Sequence, residues 1–223
     1  MATLAFDVYG TLIDTQGVVS LLEQMIGGQA QQFSRHWREK QLEYSFRRGL
    51  MQDYQPFSIC TRDALQFTDT LMATELSTEQ QQQLLQSYGT LPAFSDAQPA
   101  LDALQQAGHQ LYAFSNGQAE AVDQLLRHAD IRDYFQSIVS VDAVHSFKPS
   151  PSVYQHFLHQ SRSHSNKTWL ISGNPFDITG ARHAGWHAAW IRRDPDQPFD
   201  PWEQQPDITL SGLEALHAHL KPA

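Results

Sequence analysis

Leu4-Ala5-Phe6-Asp7-Val8-Tyr9-Gly10-Thr11 decides how the rest of the chain reads. Leu4 to Tyr9 is a short, nearly continuous apolar run, as expected of a strand buried on both faces of a parallel sheet. One acid interrupts it, Asp7, and Gly10-Thr11 breaks it just afterwards. From about Thr15 to Pro92 the pattern changes to glutamine-rich segments with helical spacing, and no strand is expected there. Phe33, Trp37, Gln41 and Tyr44 follow one helical face, and Ser77-Thr78-Glu79-Gln80 reads as a helix start. After Pro92 the chain alternates. A helical stripe of Ala97, Ala100, Leu101 and Leu104 stops at Gly108, and a strand follows at Leu111 to Phe114. A helix at Glu120 to His128 and a strand at Ser137 to Val141 come next. A helix after Lys148-Pro149, a strand at Trp169 to Ile171 and a helix at Asp177 to Ala184 continue the alternation. Ala188 to Ile191 reads as the last strand, before a short helix around Leu213 to Leu220.

Strands alternating with helices predict an α/β fold, a Rossmann-like doubly wound parallel sheet carrying an inserted α-helical cap subdomain. The expected division is a core of residues 1–14 and 93–223, with the cap at 15–92. The composition agrees with such a core: 223 residues, 41% apolar and 17% charged. A net charge of −9 gives no support for nucleic-acid or anionic-membrane partners. No apolar run reaches the ~20 residues needed to span a bilayer, and the N-terminus lacks signal-peptide features. The lone cysteine, Cys60, fits a reducing cytoplasm and reads as a half-buried small hydrophobe. The eleven histidines show no recognisable zinc spacing, and His183 and His187 are separated by Gly185, where a helix is expected to end. No metal and no cofactor are expected.

In doubly wound sheets ligands sit beyond the carboxyl ends of the strands. That rule selects Asp7, Ser115-Asn116, the Lys148 loop, and Ser172 to Asp177. A carboxylate (reference pKa about 3.9) is ionised at neutral pH and attacks an electrophile without a general base. Lys148 in the same crevice would keep that carboxylate charged, and Ser115 and Asn116 would offer donors to an anion at a helix N-terminus. Each residue has a plainer reading alone: a turn aspartate, a solvated lysine, two helix caps. Four such coincidences at four strand ends are a poor account of one chain.

Phe6-Asp7-Val8-Tyr9-Gly10-Thr11-Leu12 resembles the first motif of the haloacid dehalogenase superfamily. Phe114-Ser115-Asn116-Gly117 is similar to the second, Phe147-Lys148-Pro149 to the third, and Ser172-Gly173-Asn174-Pro175-Phe176-Asp177 to the fourth. Their order and spacing agree across essentially the whole chain. Superfamily phosphatases carry a second aspartate two residues after the nucleophile, beside a magnesium site; here that position is Tyr9. The cap segment His36-Trp37-Arg38-Glu39-Lys40-Gln41-Leu42-Glu43-Tyr44 resembles that of the L-2-haloacid dehalogenase branch, with Arg38 at the halide-binding position. The resemblance implies a metal-independent (S)-2-haloacid dehalogenase acting on a small 2-halo carboxylate through an ester on Asp7. It assigns Ser115 to the substrate carboxylate, and Arg38, Asn116 and Phe176 to the halide. Asp177 and Asn174 would position water, while Thr11, Ser172 and Tyr154 would orient the charged groups. Tyr154 is also a candidate substrate contact, and Tyr9, Leu42, Phe57 and Phe176 are candidate apolar walls. A homodimer joined through the cap is implied as well, with Phe67, Leu71 and Met72 as candidate surface.

Three departures from the branch pattern bear on substrate range and rate: Glu39 in place of Gln, Gly173 and Pro175 in place of Ser and Ala, and Phe176 where some relatives carry Trp and others Phe. A magnesium-dependent phosphatase and a non-catalytic protein retaining the fold are the competing readings. A dinucleotide-binding domain is rejected, because no G-x-G-x-x-G follows the first strand.

Overall fold

The computed structural model describes residues 1–220. A six-stranded, all-parallel sheet forms its centre, in the order β3-β2-β1-β4-β5-β6. Strand β1 (Thr3–Asp7) is buried along its whole length. Helices α1 (Val19–Ile26), α2 (Ala30–Met51), α3 (Phe57–Met72) and α4 (Thr78–Ser87) follow before the chain returns to the sheet. The alternating part comprises α5 (Ala97–Gln106), β2 (Gln110–Ser115), α6 (Ala119–His128), β3 (Ser137–Ser140), α7 (Pro151–Ser161), β4 (Thr168–Ser172), α8 (Pro175–His183) and β5 (His187–Ile191). Strand β6 (Ile208–Leu210) and the single-turn α9 (Leu216–His219) complete it. The fold is the expected doubly wound α/β sheet with an inserted helical cap.

Local chemistry accounts for the boundaries. Ser77 and Gln80 close a reciprocal capping box at the start of α4. Gly108 (φ +81°) and Gly185 (φ +79°) end α5 and α8 in the left-handed region that favours glycine. The chain leaves and re-enters the sheet as a paired stem: Asp14 N–H donates to the Pro92 carbonyl and Phe94 N–H to that of Leu12, both at 2.9 Å. Within the cap, α2 and α3 are joined by polar as well as apolar contacts. Trp37 Nε1 donates to the Thr61 carbonyl at 2.8 Å and Gln41 Nε2 to Thr61 Oγ1 at 2.6 Å. Phe33, Trp37 and Gln41 are buried as their spacing predicts, and Tyr44 is half-buried.

Two expectations need correction. Ala188 to Ile191 is not the last strand, because β6 pairs in parallel beyond it. Three residues with an exposed Thr209 in the middle are too short to carry a period, so nothing in the sequence separates this edge strand from a loop. Cys60 is fully buried in α3, not half-buried. Among the described residues no helix is long and apolar enough to cross a membrane.

Candidate active site

The sheet order reverses direction between β1 and β4, so the crevice of a doubly wound fold lies where Asp7 and Ser172 end their strands. Four loops meet there. The Asp7 carboxylate is nearly buried, and its two oxygens are treated very differently. Oδ2 accepts from Asn174 Nδ2 at 2.7 Å, Thr11 Oγ1 at 2.8 Å and Ser172 Oγ at 3.2 Å. Oδ1 accepts only from Lys148 Nζ, at 3.2 Å. The two hydroxyls have little freedom to turn away: Thr11 Oγ1 accepts the Gly173 N–H and Ser172 Oγ the Asn174 N–H. With their lone pairs so engaged, their protons point at Asp7.

Lys148 is 1% exposed and places all three ammonium protons: on Asp7, on the Phe114 carbonyl (2.8 Å) and on Asp177 Oδ2 (2.7 Å). Its backbone N–H is held by Asn116 Oδ1 at 3.0 Å. That contact uses the carbonyl of the Asn116 amide and leaves its Nδ2 as the group free to meet an anion. Asp177 is fully buried, and burial raises its carboxyl to about 6, with Lys148 pulling down and Asp7 pushing up. Tyr154 is fully buried behind it and donates to Asp177 Oδ1 at 2.7 Å. Tyr154 therefore supports Asp177 and is not a substrate contact; the apolar face of α7 has carried it into the core. Gly180 makes this possible, since a Cβ there would lie 2.3 Å from the Tyr154 hydroxyl.

From the cap, Arg38 reaches the same centre. Its guanidinium donates to Gln41 Oε1 at 2.7 Å and, more weakly, to Asn174 Oδ1 at 3.4 Å. Gln41 in turn is tied to Thr61, so α3 sets the direction of the arginine. Tyr9 and Tyr88 stand beside one another, ring centroids 6.2 Å apart. Burial pushes each phenol up to about 12, with the Arg38 charge pulling both back. A cavity of about 430 Å³ opens alongside, walled by Tyr9 and Phe57 among others. Phe176 does not share it: its ring packs edge-on against Phe46 at 5.1 Å and lines a separate groove on the far side of Lys148. Leu42, one turn beyond Arg38, is half-buried and lines neither space.

Residues 1–185 match the family model of the haloacid dehalogenase-like hydrolases. The chain belongs to that family. It is 35% identical to an (S)-2-haloacid dehalogenase of Pseudomonas sp. (strain YL), over 96% of this chain and 91% of that one. To a haloacetate dehalogenase H-2 of Moraxella sp. (strain B) it is 33% identical, over 96% and 95%. The solved L-2-haloacid dehalogenase of Xanthobacter autotrophicus with chloropropionic acid covalently bound superposes with a TM-score of 0.91, at 28% identity over 98% of this chain and 97% of that one.

The departures at Gly173 and Pro175 have local causes in this hydrolase. A Cβ at Gly173 would lie 2.3 Å from the Gly10 carbonyl oxygen, so the fourth loop rests on the first turn only because residue 173 is glycine. Pro175 begins α8, where its missing N–H costs nothing, and Asn174 at the N-cap position makes no capping bond. The Asn174 amide is thereby free to turn to Asp7. Glu39 is 65% exposed and faces His36 (3.6 Å), away from the pocket.

Sequence reading missed Gln41, Tyr88 and Arg193. Gln41 and Tyr88 each read only as one more position on a helix face, the second following Leu84 and Leu85. Arg193 donates to the Thr11 carbonyl at 2.7 Å and to Asp96 Oδ2 at 2.6 Å, bracing the nucleophile turn from behind. No local signal marks it, because its partners lie 182 and 97 residues away.

Proposed function

We propose that this hydrolase is a metal-independent (S)-2-haloacid dehalogenase that converts a 2-haloalkanoate to the 2-hydroxy acid of inverted configuration and halide. The observation that carries the reading is the asymmetry of Asp7. Oδ1, with one hydrogen bond, keeps a lone pair for attack; it bonds to C2 as the carbon–halogen bond breaks and the halide leaves with its electrons. Halide is a weak base and needs donors, not a proton, and Arg38 with Asn116 Nδ2 supplies them. Ser115 takes the substrate carboxylate. Oδ2 then becomes the carbonyl oxygen of the ester. Its three donors, from Thr11, Ser172 and Asn174, already stand where negative charge develops when water adds to that carbonyl carbon. Asp177, whose carboxyl sits near 6, takes the proton from water and returns it to the departing oxygen of the hydroxy acid.

A phosphatase would need an acid two residues after the nucleophile. Tyr9, pushed up to about 12, is no such acid near neutral pH. Residues 15–92 act as a cap delivering Arg38. Phe67 and Leu71, exposed on α3, are the surface through which two copies pair; Met72 beside them is partly buried against the core. A single buried thiol and the absence of a membrane-length helix among the described residues support a cytoplasmic setting.

The test is chloride release from (S)-2-chloropropionate in EDTA, with Asp7→Asn as control. Release by the wild type and none by the variant is expected, with solvent ¹⁸O entering Asp7 over several turnovers. Release that persists in Asp7→Asn refutes the covalent route.

A further inference from the structure

We infer that the enzyme prefers 2-haloalkanoates with an unbranched apolar tail of four to six carbons in all over the three-carbon acid; this rests on the dehalogenase reading and extends it to the acyl chain. The reacting centre, with its charged and hydrogen-bonding groups, accounts for the carboxylate, the halogen and C2. What remains of the substrate is its alkyl group, and two apolar spaces adjoin the centre: the groove bordered by Lys148 and Phe176, and the 430 Å³ cavity on the Ser115 side, to which we assign the tail. The 430 Å³ cavity meets the site at two points. Tyr9 is one: its ring is on the cavity wall, while its carbonyl accepts from the Asn174 amide that also holds Asp7. Gly117 is the other, and its N–H donates to Ser115 Oγ at 3.0 Å. The cavity thus begins beyond the ends of β1 and β2, beside the group assigned to the substrate carboxylate.

Its size is too large for a methyl group alone, since a single water takes about 30 Å³ of liquid. Its walls suit hydrocarbon. Phe57 and Ile59 come from α3, Leu85 and Tyr88 from the end of α4 and the turn after it, and Gly117 adds no side chain to fill the floor. Arg62, the one cationic side chain on the lining, is half-exposed and already paired with Asp63 at 2.8 Å, so it does not draw a second carboxylate inward. Tyr88 packs on Trp37 (ring centroids 5.0 Å) and near Tyr9 (6.2 Å), which fixes this wall against the halide-binding side. The structure therefore assigns chain-length selectivity to the seam between α4 and the Tyr9 ring.

The experiment is a series of kcat/KM values for chloride release from (S)-2-chloro-propanoate, -butanoate, -pentanoate and -hexanoate. Burial of each methylene is expected to raise kcat/KM about 4-fold, so pentanoate should exceed propanoate about 16-fold. Leu85→Trp, which fills the cavity, should reduce the pentanoate-to-propanoate ratio to about one or below. Ala121→Phe, on the exposed rim, provides a second plug should the first variant fold poorly. Turnover of propanoate with a flat or falling series overturns the inference while the dehalogenase reading stands. A rising series that neither plug alters places the tail elsewhere and also overturns it. No release from any member of the series refutes both.

Discussion

Replacing Lys148 with methionine removes one charge and leaves two carboxylates facing each other in the interior. Lys148 Nζ lies 3.2 Å from Asp7 and 2.7 Å from Asp177, and its side chain is 1% exposed. Methionine keeps most of the volume, so the loss is electrostatic and not a cavity effect. Breaking a buried ion pair from one side costs about 3–5 kcal/mol, because the remaining charge is uncompensated. The cost depends on pH, and its sign follows from the raised carboxyl of Asp177. In the wild type Lys148 favours the ionised form and holds that carboxyl at about 6 against burial and Asp7. Without the lysine the value rises further, so the folded variant binds a proton at a pH where the wild type does not. Relative to wild type, the variant gains stability as pH falls, by about 1.4 kcal/mol per unit for one proton. That recovery begins at the variant's raised value and ends near 6, below which both proteins are protonated. Urea unfolding at pH 8.5, 7 and 6 measures it. A destabilisation that is the same at all three values refutes the account and reduces Lys148 to a packing residue. Turnover should fall at least a hundredfold at pH 8, since removing a single preorganised electrostatic group costs on the order of 10²–10³ in kcat.

Asp177 also predicts an acid limb in kcat: ester hydrolysis should slow as the water-activating carboxylate takes up its proton, measured as steady-state halide release at saturating substrate across pH 4.5–8. In the ester the Asp7 charge is gone and with it one cause of the rise, so this limb should lie below the value of about 6 that Asp177 has beside a free Asp7. Tyr154→Phe removes the hydrogen bond that favours ionised Asp177, so the limb moves upward. The same change leaves a buried oxygen one donor short, at a cost of about 1–3 kcal/mol in urea unfolding. Glu39→Gln, at a solvent-facing position, should alter stability by no more than about 0.5 kcal/mol and leave kcat/KM within about twofold; a larger gain would place Glu39 in the pocket's field.

Local pattern along the chain is enough to read the layers of this protein and the four loops that carry its chemistry. Buried parallel strands read as apolar runs, and each catalytic loop follows directly from one of them, so Asp7, Ser115, Lys148, Ser172 and Asp177 could be named from local pattern alone. Helix ends at Gly108, Gly185 and Ser77 were equally legible, because backbone conformation and capping are short-range. How those groups divide their labour is set by contacts between distant segments. Which Asp7 oxygen is saturated depends on groups more than 160 residues along the chain: Ser172 and Asn174 donate to Oδ2, and the Gly173 N–H holds the Thr11 hydroxyl that does the same. Tyr154 looked as much like a substrate contact as a support until Gly180 was seen to let it reach Asp177. Arg193 had no periodic or motif signal, and the helical spacing of Tyr88 with Leu84 said nothing of its place beside Tyr9 and Trp37, since the partners of both come from distant elements. Strand β6 is too short for any period. Pattern along a chain records burial and turn geometry; hydrogen-bond direction and charge coupling arise between segments, and exist only once the sheet and cap have brought them together.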